Sequence, residues 1–468
     1  MAVTLRVAIV GAGPSGLYAA GHLLESRDPV VEVDFIERLP TPWGLVRSGV
    51  APDHGEKKRI IERLFDFILR HERVRFFGNT AVGKDVGVAE LAQWYDAVIY
   101  AHGAGGHNAI GIPGEDLAGV RGARDFVQFY NGHPDQAHLQ FDLSHPRAVI
   151  VGNGNVAVDI ARILTADVDD LAKTDIADHA LDALRASKVK EVVIMGRRDL
   201  EFAAFNNPEL EEFQHLEDVE VLVDGEFDRP RAEGDPVAAW RALRRYDIMR
   251  DLISRPRSPT NKRVVFQFLA APVAIRGDQR VQRVDFLRNR VVRDDAGLRY
   301  EPGSDVQSME AGLVLSACGY RGRALAGLPF DDALGVVPHR GGRIVDDAGT
   351  RSGEYVTGWI KRGCRGIIGS NRKCARETVA ALLADFAASR LRPAAFTRDL
   401  VVQVLSGRNP AVVHFDNWRA IDRREQVAGR VAGRPRVKLA TVDALLGVAF
   451  SGHSRSAAGR EADNFGVS

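Results

Sequence analysis

The chain has 468 residues, enough for two or three domains rather than one. Its 45% hydrophobic and 27% charged residues are ordinary for a soluble globular protein. The formal net charge of +1 provides no global attraction for nucleic acid or an anionic membrane, so any charged docking surface has to be a local patch.

Residues 5–37 read as a β-α-β unit. The apolar run Val7-Ala8-Ile9-Val10 leads into Gly11-Ala12-Gly13-Pro14-Ser15-Gly16. Gly11, Gly13 and Gly16 permit a tight turn and let the backbone approach a pyrophosphate, which the following helix N-terminus faces. The next strand, Val31–Ile36, ends in Glu37. At about 20 residues past the turn, an acid hydrogen-bonds a ribose hydroxyl and repels a 2′-phosphate. Residues 40–55 are rich in Pro and Gly and read as an ordered loop. A helix is expected over 57–71, with strands over 73–77 and 96–101. The exit Ala101-His102-Gly103-Ala104-Gly105 suits a chain crossing between domains.

A second fingerprint follows at Ala148-Val149-Ile150-Val151-Gly152-Asn153-Gly154-Asn155-Val156-Ala157 and opens a unit over 147–196. The polar, acidic stretch at 165–190 is longer than this unit needs and predicts an inserted helical hairpin. The closing strand Glu191–Met195 runs into Gly196-Arg197-Arg198. Paired guanidinium groups suit a 2′-phosphate through charge and bidentate hydrogen bonds. One fingerprint alone is also compatible with a plain βαβ turn, and two arginines alone with a solvated surface pair. Two fingerprints with different partners read as a flavoprotein that also binds a nicotinamide cofactor, FAD in the first unit and NADP(H) in the second.

Residues 200–320 combine a charged helix over 236–254 with strands near 263–270, 280–288 and 312–317. Gly341–Val345 and Glu354–Trp359 then read as strands, and 371–388 as a helix that returns the chain to the first domain. The expected fold is α/β, with two Rossmann-like dinucleotide-binding domains and the FAD domain interrupted by an inserted NADP domain. The boundaries place the first part of the FAD domain at 1–104, the NADP domain at 105–322 and the second part of the FAD domain at 323–453. The small, polar residues 454–468 read as a disordered tail.

The three cysteines, Cys318, Cys364 and Cys374, form no C-x-x-C pair, which argues against a dithiol relay. They cannot supply four ligands to an iron–sulfur cluster, so no metal site is expected and any such centre sits on another protein. All three are expected to be buried apolar thiols. No stretch reaches the roughly 18 apolar residues of a membrane span, and no signal-type segment precedes the first strand. A cytoplasmic protein without membrane insertion is expected.

The loop Leu39-Pro40-Thr41-Pro42-Trp43-Gly44-Leu45-Val46-Arg47-Ser48-Gly49-Val50-Ala51-Pro52-Asp53-His54 resembles the signature of adrenodoxin-reductase-type ferredoxin–NADP(+) reductases. Phe76-Phe77-Gly78-Asn79, Ile112-Pro113-Gly114-Glu115-Asp116, Gly319-Tyr320-Arg321-Gly322 and Gly358-Trp359-Ile360-Lys361-Arg362-Gly363 are similar to blocks of the same family, in the same order. The resemblance implies that Gly11, Gly13 and Ser15 line the FAD pyrophosphate and that Glu37 meets the ribose. It also implies that Leu45, Val82 and Trp359 contact FAD, and that Gly366, Ile367 and Ile368 meet its isoalloxazine end. Asn153, Gly154, Asn155 and Val156 would hold the NADP pyrophosphate, with Arg197 and Arg198 on the 2′-phosphate. Glu209 and Gly366 would lie near the nicotinamide.

The activity implied is electron transfer from NADPH to FAD as a hydride and then singly to a ferredoxin-type iron–sulfur protein. The alternative is an NADPH-dependent flavin reductase or diaphorase acting on a quinone or other small acceptor. His54 is the candidate for a proton route or flavin-side contact, and a packed loop histidine is the competing reading. The family docks ferredoxins through basic residues of the NADP domain, and Arg241, Arg244 and Arg245 are expected to share one helix face for that purpose. A monomer is expected. The chain departs from the family at Asp199, where Gly is usual after the arginine pair, and at Glu211, where a basic residue is common. Asp199 is expected to weaken the 2′-phosphate site.

Overall fold

The computed structural model describes residues 4–216, 218–225, 227–231, 235–255, 262–294, 297–366 and 368–451. The expected contact of Ile367 and the tail read at 454–468 lie outside the described residues. The chain divides between Gly106 and His107, and again between Gly319 and Tyr320, into two units, with Ala51–Asp53 counted in the second.

In the first unit seven strands form one sheet, in the order His339–Arg340, Arg343–Asp346, Gly349–Val356, Ala97–Tyr100, Thr4–Val10, Val30–Ile36, Val74–Phe77. Thr4–Val10 is parallel to both its neighbours. The late strand Gly349–Val356 joins Ala97–Tyr100 in parallel, with Tyr355 opposite Ile99. Alternation along Thr4–Val10 feeds two cores. Leu5, Val7 and Ile9 enter one with Phe65, Leu382 and Trp418, while Ala8 and Val10 enter another with Trp94, Tyr100 and Ile360. Because both faces are covered, the strand reads as a continuous apolar run.

The second unit repeats this logic in a six-stranded parallel sheet ordered Val120–Gly122, Leu313–Ser316, Arg147–Val151, Glu191–Met195, Lys262–Gln267, Val219–Asp224. Ala148 and Ile150 face one core, Val149 and Val151 the other. The long connection holds two short helices, Val168–Leu171 and Asp178–Arg185, where the hairpin was expected.

Two expected strands differ. The run at 263–270 is divided: Lys262–Gln267 stays in the parallel sheet, and Leu269, at φ 55°, redirects the chain. Ala270–Arg276 then starts an antiparallel three-stranded sheet with Arg283–Asp294 and Gly297–Glu310. The strand expected to reach Trp359 stops at Val356, because Gly358 takes φ 80° and Trp359–Arg362 coils into a short helix. The helix Ile368–Ala387 follows, then Arg398–Arg408, Phe415–Val431 and Val442–Phe450.

The helix Phe415–Val431 carries a fully buried carboxylate, Glu425. Arg47, from the Pro- and Gly-rich loop, donates to both its oxygens at 2.8 and 2.5 Å. Arg436 donates to Glu425 at 3.2 Å, to Asp422 at 2.7 Å and to Glu62 at 3.3 Å. Trp43 and Trp418 meet edge to face at 4.9 Å, with Arg436 over the first ring and Arg47 over the second. Burial works to raise the Glu425 carboxyl, but the charges of Arg47 and Arg436 prevail and hold it below its ordinary 4.5.

Glu425→Ala should leave two buried guanidinium groups short of a counter-charge and cost about 3–5 kcal/mol in chemical unfolding. The lowered group stabilises fully above its unfolded pKa, and its contribution is lost as pH falls through the lower folded value. The stability gap between wild type and variant should therefore narrow below pH 4.5 and stay constant above it.

Candidate dinucleotide-binding sites

At the end of strand Thr4–Val10, Gly11 turns the chain at φ 103°, and its N–H donates to the Ile36 carbonyl at 2.9 Å. A Cβ on Gly11 would stand 2.8 Å from the Ala101 carbonyl oxygen, and one on Gly16 would stand 2.2 Å from the oxygen of Gly11. Only glycine lets strand, turn and helix close to this distance. The helix Pro14–Leu24 starts from Gly13 with no side-chain cap, so its first-turn N–H groups remain for a ligand.

Glu37 sits beside this turn. Its carboxylate accepts the Ala12 N–H at 2.8 Å and the Leu39 N–H at 2.9 Å. Burial raises the carboxyl, against those two N–H bonds. The loop that follows lies directly on the glycine turn: the Trp43 N–H donates to the Ala12 carbonyl at 2.8 Å, and a Cβ on Gly44 would stand 2.8 Å from the Gly13 Cα. Leu45, half-buried, opens the short helix Leu45–Ser48.

The late part of the chain closes on the same place. Gly358 approaches so near that its Cβ would stand 2.1 Å from the Ser15 hydroxyl oxygen. Ser15 donates to Asn371 Oδ1 at 2.9 Å, and Arg362 donates to the same oxygen at 3.0 Å. Trp359 stacks obliquely against Tyr320 at 5.7 Å, and its indole N–H is buried without a partner among the described residues. The Trp43 indole N–H is in the same condition. Val82 packs into the core that holds Val10 and Ile360. Gly366 lies exposed at φ 82°, two residues ahead of Ile368, the first residue of the helix Ile368–Ala387. His54 is half-buried at the N-cap of the helix Gly55–Leu69.

The second unit builds the equivalent turn with Gly152 at φ 117°, where a Cβ would stand 2.5 Å from the Ala317 carbonyl oxygen. The helix Asn155–Thr165 starts from Gly154, again with no side-chain cap, and Val156 is in its first turn. The Asn153 amide lies over Gly196, leaving its Nδ2 buried and unpartnered among the described residues. Asn155 Oδ1 accepts the Asn206 N–H at 2.8 Å, which ties the turn to the helix Asn207–Glu211 that bears Glu209. Arg197 and Arg198 are exposed, and no acidic side chain among the described residues pairs with either. Gly366, expected near both cofactors, belongs to the first unit.

The docking triad needs correction. Arg241 and Arg244 are exposed on the helix Pro236–Ile253, but Arg245 is buried. Its guanidinium donates to the carbonyls of Leu200, Glu201 and Phe205 and so clamps the segment after the arginine pair. On a helix, i+3 and i+4 are only near neighbours, and here the core begins between them. Arg244 pairs with Glu211 at 2.6 Å. Cys318 also departs from expectation: it is exposed, whereas Cys374 is buried and Cys364 half-buried, and all three are free thiols.

A pyridine nucleotide-disulphide oxidoreductase family profile matches residues 5–233. The chain is 45% identical to the NADPH-ferredoxin reductase FprA of Mycobacterium leprae, across 94% of this chain and 97% of that one. The chain belongs to the NADPH-ferredoxin reductase family. The mitochondrial NADPH:adrenodoxin oxidoreductase of Arabidopsis thaliana is 37% identical over 95% of each chain. The structure of Mycobacterium tuberculosis FprA in complex with NADPH superimposes with a TM-score of 0.89 at 43% identity, covering 96% of this chain and all of that one.

For a member of the NADPH-ferredoxin reductase family, the donor sets fit two dinucleotides: uncapped helix N-termini behind glycine turns, orphaned amide and indole N–H groups, and an acid in one unit against two arginines in the other. Sequence reasoning missed the roles of Asn371, which meets Ser15 from far along the chain, and of Arg362, which holds the Asn371 amide oxygen. Arg362 itself stands in the Gly358–Gly363 block, but nothing local tied it to Asn371. Among the described residues no group of three or more His, Cys, Asp and Glu is placed to hold a metal, and no helix is long and apolar enough to cross a membrane.

Denaturing the purified protein should release FAD, identified by chromatography. Gly11→Ala should yield protein with little or no flavin, because its Cβ meets backbone rather than a movable side chain. Retention of flavin at the wild-type level would contradict the placement of the pyrophosphate at this turn.

Proposed function

We propose that this protein passes electrons from NADPH, by way of FAD, to a ferredoxin-type iron–sulfur partner. The contrast between the two glycine turns carries the reading: Glu37 stands at one, and Arg197 and Arg198, with no acidic partner among the described residues, at the other. When bound, FAD accepts two electrons as a hydride and gives them up singly, which joins a nicotinamide donor to a one-electron acceptor.

The chain's own residues bind and orient. The first-turn N–H groups after Gly13, with Ser15 held by Asn371, take the FAD pyrophosphate, and Glu37 accepts the ribose hydroxyls. Leu45, Val82, Trp359, Gly366 and Ile368 enclose the rest of FAD. Asn153, Gly154, Asn155 and Val156 take the NADPH pyrophosphate, and Arg197 and Arg198 take the 2′-phosphate. Glu209 would lie near the nicotinamide. No side chain is assigned as a proton donor or acceptor, since hydride transfer between two held cofactors would need alignment above all. His54 remains a flavin-side contact. The protein is proposed to act in the cytoplasm as a monomer.

The docking surface is a face of the helix Pro236–Ile253. Val237 and Trp240 are exposed there, with Arg241 and Arg244 at the next positions of the same face. An exposed aromatic beside guanidinium groups fits an acidic protein partner.

Two measurements check these assignments. Charge-assisted bonds to arginine contribute on the order of 1.5–3 kcal/mol each, so Arg197→Ala should raise the NADPH KM roughly tenfold or more. NADH kinetics should hardly change, and equal harm to both coenzymes would refute the 2′-phosphate role. Reversing Arg241 and Arg244 to Glu should slow ferredoxin-dependent cytochrome c reduction and flatten its ionic-strength dependence. NADPH–ferricyanide activity should stay near normal, because a small acceptor needs no docking surface. Unchanged ferredoxin kinetics would place the partner elsewhere. Cytochrome c reduction that never depends on ferredoxin would favour the small-acceptor reductase.

A further inference from the structure

The helix Gly55–Leu69 of the first unit buries Phe65, Ile68 and Leu69, with Phe65 against Tyr18 at 5.3 Å. Its apolar arc is wider than that core uses. Ile60 is 64% exposed, Leu64 44% and Phe67 71%. They stand four and three positions apart, so they share one side of the helix within about 60°. Single exposed apolar residues are common on a protein surface, but three in a row at helical spacing make a patch.

The charges beside the row are mostly of one sign. By helical periodicity Lys57 borders it on one side and Arg59 and Arg63 on the other, and all three are exposed. Two of the helix's acids are engaged: Glu62 accepts from Arg436 at 3.3 Å and Asp66 from Arg70 at 2.6 Å. Among the described residues of this helix, Glu56 is the one exposed acid. The helix Phe415–Val431 repeats the pattern. Val427 and Val431, 39% and 88% exposed, stand four positions apart among the exposed Arg423, Arg424 and Arg430. Arg436 ties the two helices together, since it donates to Glu62 on one and to Asp422 on the other. The formal net charge of +1 conceals this local excess.

We propose that this face of the first unit rests on an anionic bilayer surface, as a peripheral contact that does not span the membrane. Ile60, Leu64 and Phe67 enter the boundary between headgroups and acyl chains, and the flanking basic groups reach the lipid phosphates. A bilayer accepts a convex apolar ridge without a matching groove, whereas an acidic protein would need a fitted surface for each helix. A second copy of the chain is disfavoured, because pairing these faces would bring their basic rows together. The contact does not depend on which dinucleotide either unit takes.

The test is sedimentation of the FAD-loaded full chain with phosphatidylcholine vesicles, with and without phosphatidylglycerol. The chain should bind the vesicles that contain phosphatidylglycerol, ignore the neutral ones and release as salt rises. Ile60→Ser combined with Phe67→Ser should weaken that binding about tenfold or more. Arg59→Glu combined with Arg63→Glu should abolish the preference for phosphatidylglycerol. All four side chains are exposed, so both variants should keep wild-type thermal unfolding and NADPH–ferricyanide activity. Absence of wild-type binding to the anionic vesicles, or undiminished binding by the serine variant, would overturn the inference. If vesicles are ignored, slower ferredoxin-dependent reduction by the serine variant would mark an acidic protein as the occupant. A dimer that the same variant loses in analytical ultracentrifugation would mark a second copy.

Discussion

A pyrophosphate can be held by main-chain N–H groups only if the backbone comes close to it, and both units are organised around that need. Gly11 and Gly152 each take a positive φ at the end of an interior strand, and each faces a carbonyl oxygen of a neighbouring segment, Ala101 in one unit and Ala317 in the other, where a Cβ would intrude. In each case an uncapped helix begins three residues on. Strand, turn and helix are locked together by this contact, and the sheets supply the rigid base: alternate residues of each interior strand enter cores on opposite faces.

The same geometry becomes two different sites through charge. Glu37 is enclosed and bonded by backbone N–H groups, and it presents a carboxylate beside its turn. Arg197 and Arg198 are exposed and lack an acidic partner among the described residues, so they present positive charge beside theirs. A carboxylate favours ribose hydroxyls and opposes a phosphate, while paired guanidinium groups do the reverse. In the proposed function, the electron path from nicotinamide to flavin to iron–sulfur partner would follow from which dinucleotide each unit takes.

Arginine does much of the internal work of this fold. Arg47 and Arg436 meet on Glu425 and bring the loop on the first glycine turn together with the C-terminal helices. Arg245 performs a comparable task after the second turn, where it binds three carbonyls. A guanidinium can satisfy several acceptors at fixed angles, which suits loops that cannot pair their own carbonyls. A count of basic residues therefore overstates what is available for a partner. Of three arginines expected on one helix face, one is a structural clamp and one already has Glu211.

The two fingerprints, the acid after one and the arginine pair after the other were legible in the sequence, because strand periodicity, glycine turns and the partner residue lie within one β-α-β unit. The return of the late chain to the first sheet depended on the same local patterns, in the strand Gly349–Val356 and the helix Ile368–Ala387. The division of the run at 263–270 was not, since it depends on the φ of Leu269 and on which sheet each half can join. Nor were Asn371 and Glu425, whose roles depend on residues more than 300 positions away along the chain. Local pattern determined what each segment would become and which cofactor chemistry each turn could offer. Only the tertiary structure decided which charges are spent inside and which remain for ligands, because burial and distant partners set the standing of Arg245 and Arg244.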